Sequence, residues 1–278
     1  MLSWVVTLES GFLLFPCLVA LIYGESEGFV FLVCAAVTAA AGCIFCMKKP
    51  DNTAIFAKEG FIIVALSWIV LSIIGAVPLC ASGAIPSYVD ALFEIVSGFT
   101  TTGASIIRDV EAMPHCILFW RSFSHWIGGM GVLVFMLAVV PMTGGYNMYL
   151  MRAESPGPSV GKLVPRLRQT AKILYIMYFA LTMVELALLL AGGMPVFDSV
   201  CTALGTAGTG GFGIKADGID GYSYYIQVIV TVFMFLFGVN FTFYYLIVNK
   251  KWRDALKMEE VRVYTAIFVA AVVLITEC

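Results

Sequence analysis

Residues 88–105 read YVDALFEIVSGFTTTGAS, and residues 196–213 read VFDSVCTALGTAGTGGFG. Each stretch opens on a short apolar piece with an aspartate near its start, Asp90 or Asp198, and closes on threonine and glycine. The apolar pieces, Tyr88–Gly98 and Val196–Leu204, are too short to cross a bilayer, which takes roughly 20 apolar residues in a helix. Pieces of that length between longer apolar runs predict re-entrant segments. Irregular backbone at membrane depth survives only where it is buried in protein or lines a watery cavity. The glycines that close the two loops, Gly103 and Gly210, lie 107 positions apart. The chain therefore repeats one plan: span, short helix, Gly/Thr loop, span. Such repeats about a membrane axis are a common way to build a transport path.

The rest of the chain fits that plan. Hydrophobic residues make up 61% and charged residues 12%, against about 25% charge in a soluble domain, and the mean hydropathy is +0.96. The fold class is an all-α integral membrane protein with an N-terminal helical hairpin. Leu2–Tyr23 and Phe29–Met47 form that hairpin around the turn Gly24–Gly28. Further apolar runs cover Gly60–Ala81, Ile117–Val140, Ile173–Leu190, Tyr224–Val248 and Val263–Ile275. The first run has no basic flank and no small-residue cleavage site, so it reads as a retained helix. The expected organisation is a hairpin at 1–50, a first pore repeat at 51–150, a cytoplasmic linker at 151–170, a second pore repeat at 171–255, and the start of a third at 256–278.

Several function classes fall away. The net charge is −2 and no basic patch interleaved with aromatics occurs, which argues against nucleic acid as a partner. Cys43 and Cys46 have CxxC spacing but sit in an apolar run without a second pair, so they read as small helix residues rather than a metal or redox site. His115 and His125 are the only histidines, and no transition-metal site is expected. Cys80 and Cys116 both fall near the outer face, which leaves a disulfide open.

Orientation follows from Lys and Arg. Thirteen of them, from Lys48 through the 152–172 stretch to Arg262, fall on one side of this topology, and only Arg108, Arg121 and Lys215 on the other. The richer side is cytoplasmic by the positive-inside rule. The N-terminus is then inside, and both re-entrant loops open outward beneath Glu25, Glu27, Asp109, Glu111, Asp217 and Asp220. An acidic vestibule raises the local concentration of cations.

The loop composition suits ion passage. Backbone carbonyls can replace the water shell of an ion in a narrow pore, and glycine permits the torsions that point successive carbonyls one way. The candidate ion-binding residues are Thr100, Thr101, Thr102 and Gly103 in the first loop and Ala207, Gly208, Thr209 and Gly210 in the second. The short helices would each aim a partial negative C-terminus at the pore. Arg121 could pair with Glu94 or Asp90 behind the loop, or else snorkel to the interface; Glu94 and Arg121 are the candidate loop supports. Glu185 lies inside an apolar run, where a carboxylate is expensive, and a structural hydrogen-bonding role is expected. Gly128, Gly129 and Gly131 read as a close-packing helix face.

These residues resemble a known family. Residues 90–104 (DALFEIVSGFTTTGA) look like the first pore loop of the TrkH/KtrB superfamily of potassium transporters, and 119–131 (FWRSFSHWIGGMG) like the start of the following helix. Residues 152–158 (RAESPGP) are similar to a cytoplasmic segment of the TrkH branch, while 192–198 (GGMPVFD) and 210–212 (GGF) resemble the second repeat. The resemblance implies four repeats around one pore with one key glycine per loop, here Gly103 and Gly210. It implies potassium as the transported ion, no resident cofactor, a homodimer, and a cytoplasmic TrkA-like nucleotide-binding subunit. A glycine at position 103 leans toward potassium, since serine there is associated with sodium passage in plant relatives. Only two repeats and the beginning of a third occur in these 278 residues. The expectation is a fragment of a longer product, incompetent for selective conduction alone. The competing readings are a non-conducting assembly or regulatory fragment, and an intramembrane enzyme, for which no nucleophile–base pair presents itself.

Overall fold

The computed structural model describes residues 2–47, 57–131 and 167–276, and all regular structure among them is helical. The N-terminal hairpin consists of α1 (Leu2–Phe12), α2 (Leu14–Tyr23) and α3 (Gly28–Met47). Gly24 ends α2 at φ +70°, its N–H donating to the Ala20 carbonyl; only glycine takes that left-handed torsion without strain. A Cβ on Gly42 would overlap Thr7, so glycine sets how closely α3 approaches α1.

The first repeat is α4 (Ala57–Ala81), α5 (Tyr88–Phe99) and α6 (His115–Met130). The second is α7 (Leu167–Ala191), α8 (Val196–Ala207), α9 (Tyr224–Gly238) and α10 (Phe241–Val248), followed by α11 (Trp252–Leu256) and α12 (Glu259–Thr276). Among the described residues four helices are long and apolar enough to cross a membrane, or five if α9 and α10 count as one. Residues 132–166 lie outside the described residues, and with them most of the Thr143–Gln169 stretch and the 152–158 motif.

The main core joins hairpin and first repeat. Val5, Leu13 and Phe31 meet Leu71 and Leu79 of α4, Ile95 and Phe99 of α5, and Trp120 and Ile127 of α6. Trp120 is fully buried, and its indole N–H donates to the Gly75 carbonyl at 2.9 Å. A buried tryptophan ordinarily finds such a partner. α6 also packs directly on α8, so the last helix of one repeat supports the short helix of the next.

Two expectations need correction, and one open question is answered. The run Tyr224–Val248 is not one straight helix: α9 and α10 meet at 90°. Val239 is extended at the break and the Asn240 side chain accepts from Thr242 N–H, capping α10. The hydroxyls of Tyr244 and Tyr264 donate to the carbonyls of Leu236 and Phe235, near the end of α9, at 2.6 and 3.2 Å. Carbonyls at a helix end in lipid require such partners. The second short helix is longer than its apolar piece, so Gly205, Thr206 and Ala207 are helical rather than loop. Cys80 and Cys116 are both free thiols.

The hairpin is fastened at the outer end. Glu25 accepts from the backbone N–H groups of His115 and Cys116 at 2.6 and 2.9 Å and pairs with the His115 ring at 2.8 Å. It thereby caps α6, whose own N-cap position, Pro114, supplies no side-chain bond. Tyr23 stacks on His115 at 3.9 Å, and Phe197 of α8 meets the same ring edge-on at 4.7 Å. Burial alone would raise the Glu25 carboxyl; the bonds from Cys116 and His115 outweigh it and hold the group below its ordinary value. Glu25→Gln should lower the thermal midpoint at neutral pH by the equivalent of about 1 kcal/mol, the usual worth of an N-cap. A carboxyl with a lowered folded value contributes stability above its ordinary value of 4.5 and loses it as pH falls through the folded value. The wild-type advantage in thermal scans should therefore shrink under acid conditions. An advantage that does not change with pH would contradict this account.

Candidate functional site

The two short helices end in loops with the same backbone path. Thr101 and Gly103 have φ of +54° and +75°; Thr209 and Gly211 have +56° and +74°. Both pairs are 108 residues apart, as are Asp90 and Asp198 in the first turns of α5 and α8. A β-branched residue at positive φ is a genuine outlier that costs on the order of 1–3 kcal/mol. Two threonines in that region at corresponding positions mark one strained design used twice. Thr101 N–H donates to Gly98 and Thr209 N–H to Thr206, again 108 apart. This register pairs Gly103 with Gly211 rather than with Gly210. It also pairs Thr100–Gly103 with Gly208–Gly211, leaving Ala207 as the buried last residue of α8.

The loops lie against each other. A Cβ on Gly103 would overlap the Gly210 carbonyl oxygen and lie 3.5 Å from the Gly210 Cα. Thr100 ends α5, and its hydroxyl lies 2.8 Å from that of Thr102. Gly208 ends α8 at φ −78°. Each helix thus delivers its C-terminal end, where the unsatisfied carbonyls of a helix carry partial negative charge, to one shared spot.

Behind the first loop lies a buried ion pair. Arg121 Nε donates to Glu94 Oε1 at 2.6 Å, and the two side chains are 1% and 0% exposed. Glu94 also accepts from the Ser105 hydroxyl and the Ile106 N–H, both at 2.9 Å. Arg121 reaches Ser105 Oγ at 3.1 Å and, across to the second loop, the Gly213 carbonyl at 3.4 Å. Its guanidinium stands 4.3 Å from the Phe212 ring centre, a cation–π contact. Arg121 is therefore neither snorkelling nor local to one repeat.

The glycines of α6 sit where close packing needs them. A Cβ on Gly128 would overlap the Phe99 carbonyl at the end of α5; one on Gly129 would lie 2.9 Å from Gly208 Cα and 3.1 Å from the Ala207 carbonyl oxygen. One helix face thereby touches both loops. His125, one turn beyond Arg121, is fully buried and stacks on Phe212 at 4.0 Å, with 11° between planes. Sequence reasoning singled out neither His125 nor Phe212 nor Gly211. The signal was the i, i+4 spacing of Arg121 and His125 on the face that carries Gly128. Glu185 is 0% exposed; its carboxylate makes no hydrogen bond of ordinary geometry among the described residues, with the Thr206 side chain of α8 beside it.

Comparisons with known proteins agree with this architecture. The family model of TrkH, described as a cation transport protein, matches residues 27–270. The chain is 36% identical to the Trk system potassium uptake protein TrkG of Escherichia coli over 90% of its own length and 53% of that protein's. It is 36% identical to the TrkH of Salmonella typhimurium over 98% of its length and 57% of the relative's. The crystal structure of the potassium transporter TrkH from Vibrio parahaemolyticus superposes with a TM-score of 0.74 at 31% identity, covering 87% of this chain and 49% of that one. The chain spans about half the length of the curated relatives it matches. With its apolar helices and its paired loops, this is a multi-pass membrane protein that belongs to the TrkH family of cation transport proteins.

Proposed function

We propose that this chain supplies two filter loops of the membrane subunit of a Trk-type potassium uptake system. The observation that carries the reading is the pair of loops with matched torsions, set against each other at the C-terminal ends of two short helices. Left-handed torsions at alternate residues turn successive peptide groups, so that the oxygens around Thr100–Gly103 and Gly208–Gly211 can replace the water of a bare cation. Gly103 and Gly211 are the key glycines in this reading, with Gly210 beside them. Potassium is the cargo, and no resident cofactor takes part.

That the relatives are Trk system potassium uptake proteins supports the choice of ion. The division of the chain at 50, 150, 170 and 255 separates the hairpin, the two repeats, the linker between them and the start of a third repeat. The protein sits in the plasma membrane with its N-terminus in the cytoplasm, pairs as a homodimer, and takes a TrkA-like nucleotide-binding subunit on its inner face. Its activity is transport rather than catalysis. Two loops do not encircle an ion, so conduction needs further loops in the same pore.

In a potassium-uptake-deficient cell, the gene carrying this chain should restore growth at low external potassium. Gly103→Asp should abolish that growth while the protein still reaches the membrane, because any side chain there overlaps the Gly210 carbonyl. Growth unaffected by the change would sink the filter reading. Liposomes holding only the 278-residue chain should show no potassium-selective flux; selective flux would overturn the requirement for further loops. Arg121→Leu leaves Glu94 buried without its partner, and removal of one member of such a pair costs about 3–5 kcal/mol. The expected readout is a large fall in detergent-solubilised thermal midpoint. An unchanged midpoint would rule out Arg121 as a support.

A further inference from the structure

His125 has no part in the ion path as described, yet it occupies a tight junction between the two repeats. Its ring lies parallel to Phe212, the residue that follows Gly210 and Gly211, at 4.0 Å. Its edge faces Gly210 so closely that a Cβ there would lie 2.6 Å from Nδ1 and 2.8 Å from Nε2. Polar backbone groups of Ser97 and Gly205 lie beside the ring nitrogens. Those two residues are 108 apart and hold the same position near the ends of α5 and α8. The main chain of His125 abuts Gly208, whose Cβ would meet the His125 carbonyl oxygen at 2.6 Å. One side chain therefore touches both short helices and the second loop.

The Ser97 and Gly205 backbone groups face its polar edge without completing a hydrogen bond of ordinary geometry. Neither ring nitrogen has a hydrogen-bond partner among the described residues, although the residue is 0% exposed. The plane of the ring is therefore set by its stack on Phe212 rather than by a well-formed hydrogen bond. The planar shape and the stack are what the site uses.

We propose that His125 is a positioning residue that fixes the separation of the two filter loops and so sets the discrimination between potassium and smaller alkali cations. This rests on the filter reading above. The ring is a flat spacer clamped between Phe212 and the helix ends, and it stops the Gly210 carbonyl from sinking back and changing the cavity offered to the ion. Discrimination by a carbonyl cage depends on the number and placement of its oxygens, so loss of the spacer should blur the choice of ion before it stops transport.

The test uses the native gene in cells that depend on it for potassium, with uptake of potassium and sodium measured side by side at equal surface abundance. His125→Ala should lower the potassium-over-sodium uptake ratio by about tenfold, which corresponds to 1.4 kcal/mol of lost discrimination, with maximal potassium uptake largely retained. His125→Gln, whose planar amide reaches as far and can lie on Phe212, should restore most of the ratio. Where His125→Ala fails to reach the membrane, Phe212→Leu removes the other half of the stack and should show the same loss of ratio. A ratio unchanged in whichever of the two reaches the membrane overturns the proposal, as does an equal fall for both ions, the mark of a merely structural residue. Failure of the unaltered protein to take up potassium at all sinks the filter reading and this proposal together.

Discussion

Glu94 and Arg121 form a charge pair with no access to water, at the depth where two irregular loops must be held in shape. The rest of the site depends on this constraint. Loop backbone inside a membrane protein needs its polar groups satisfied by protein. Glu94 meets that need by accepting from Ser105 and Ile106, which fastens the outgoing limb of the first loop. Arg121 carries the effect across to Gly213 and Phe212 of the second. Neither charge could stay buried without the other, so the pair and the loops stand or fall as one unit.

The same logic explains where α6 is bare. Gly128 and Gly129 lack side chains because the Phe99 carbonyl and the Ala207–Gly208 backbone take up that room. Helix, ion pair and loops are thus one packing problem, solved with small residues on one helix face and a planar stack one turn away. The outer clamp of Glu25 on α6 adds the hairpin to this unit from the far end.

Much of this was legible in the sequence, and the failures have physical causes. The hairpin, the spans that begin the two repeats and the two short helices follow from apolar length and from the Gly/Thr punctuation. Arg121 and Glu94 stood out because ionised groups in apolar runs need partners. The register of the second loop was not legible. Gly208-Thr-Gly-Gly211 offers three glycines, and only the torsions reveal which one matches Gly103. The bend after Gly238 was hidden because scattered polar residues such as Gln227, Thr231 and Asn240 interrupt the apolar run Tyr224–Val248 too lightly to end it, and the hydroxyls that permit the break come from Tyr244 and from Tyr264, 26 residues beyond Gly238. His125 shares a helix face with Arg121 and Gly128, but only the fold brings Phe212, 87 residues on, against its ring.

The two loops match in backbone path, yet they share one supporting helix, and that helix belongs to the first repeat. Copies of a duplicated unit ordinarily drift apart, each accepting its own substitutions. Here a change at positions 121–129 reaches both copies simultaneously, while the second unit has no say over the scaffold it leans on. Inheritance in this molecule is therefore lopsided: the second loop can vary only within limits that the first repeat has already set.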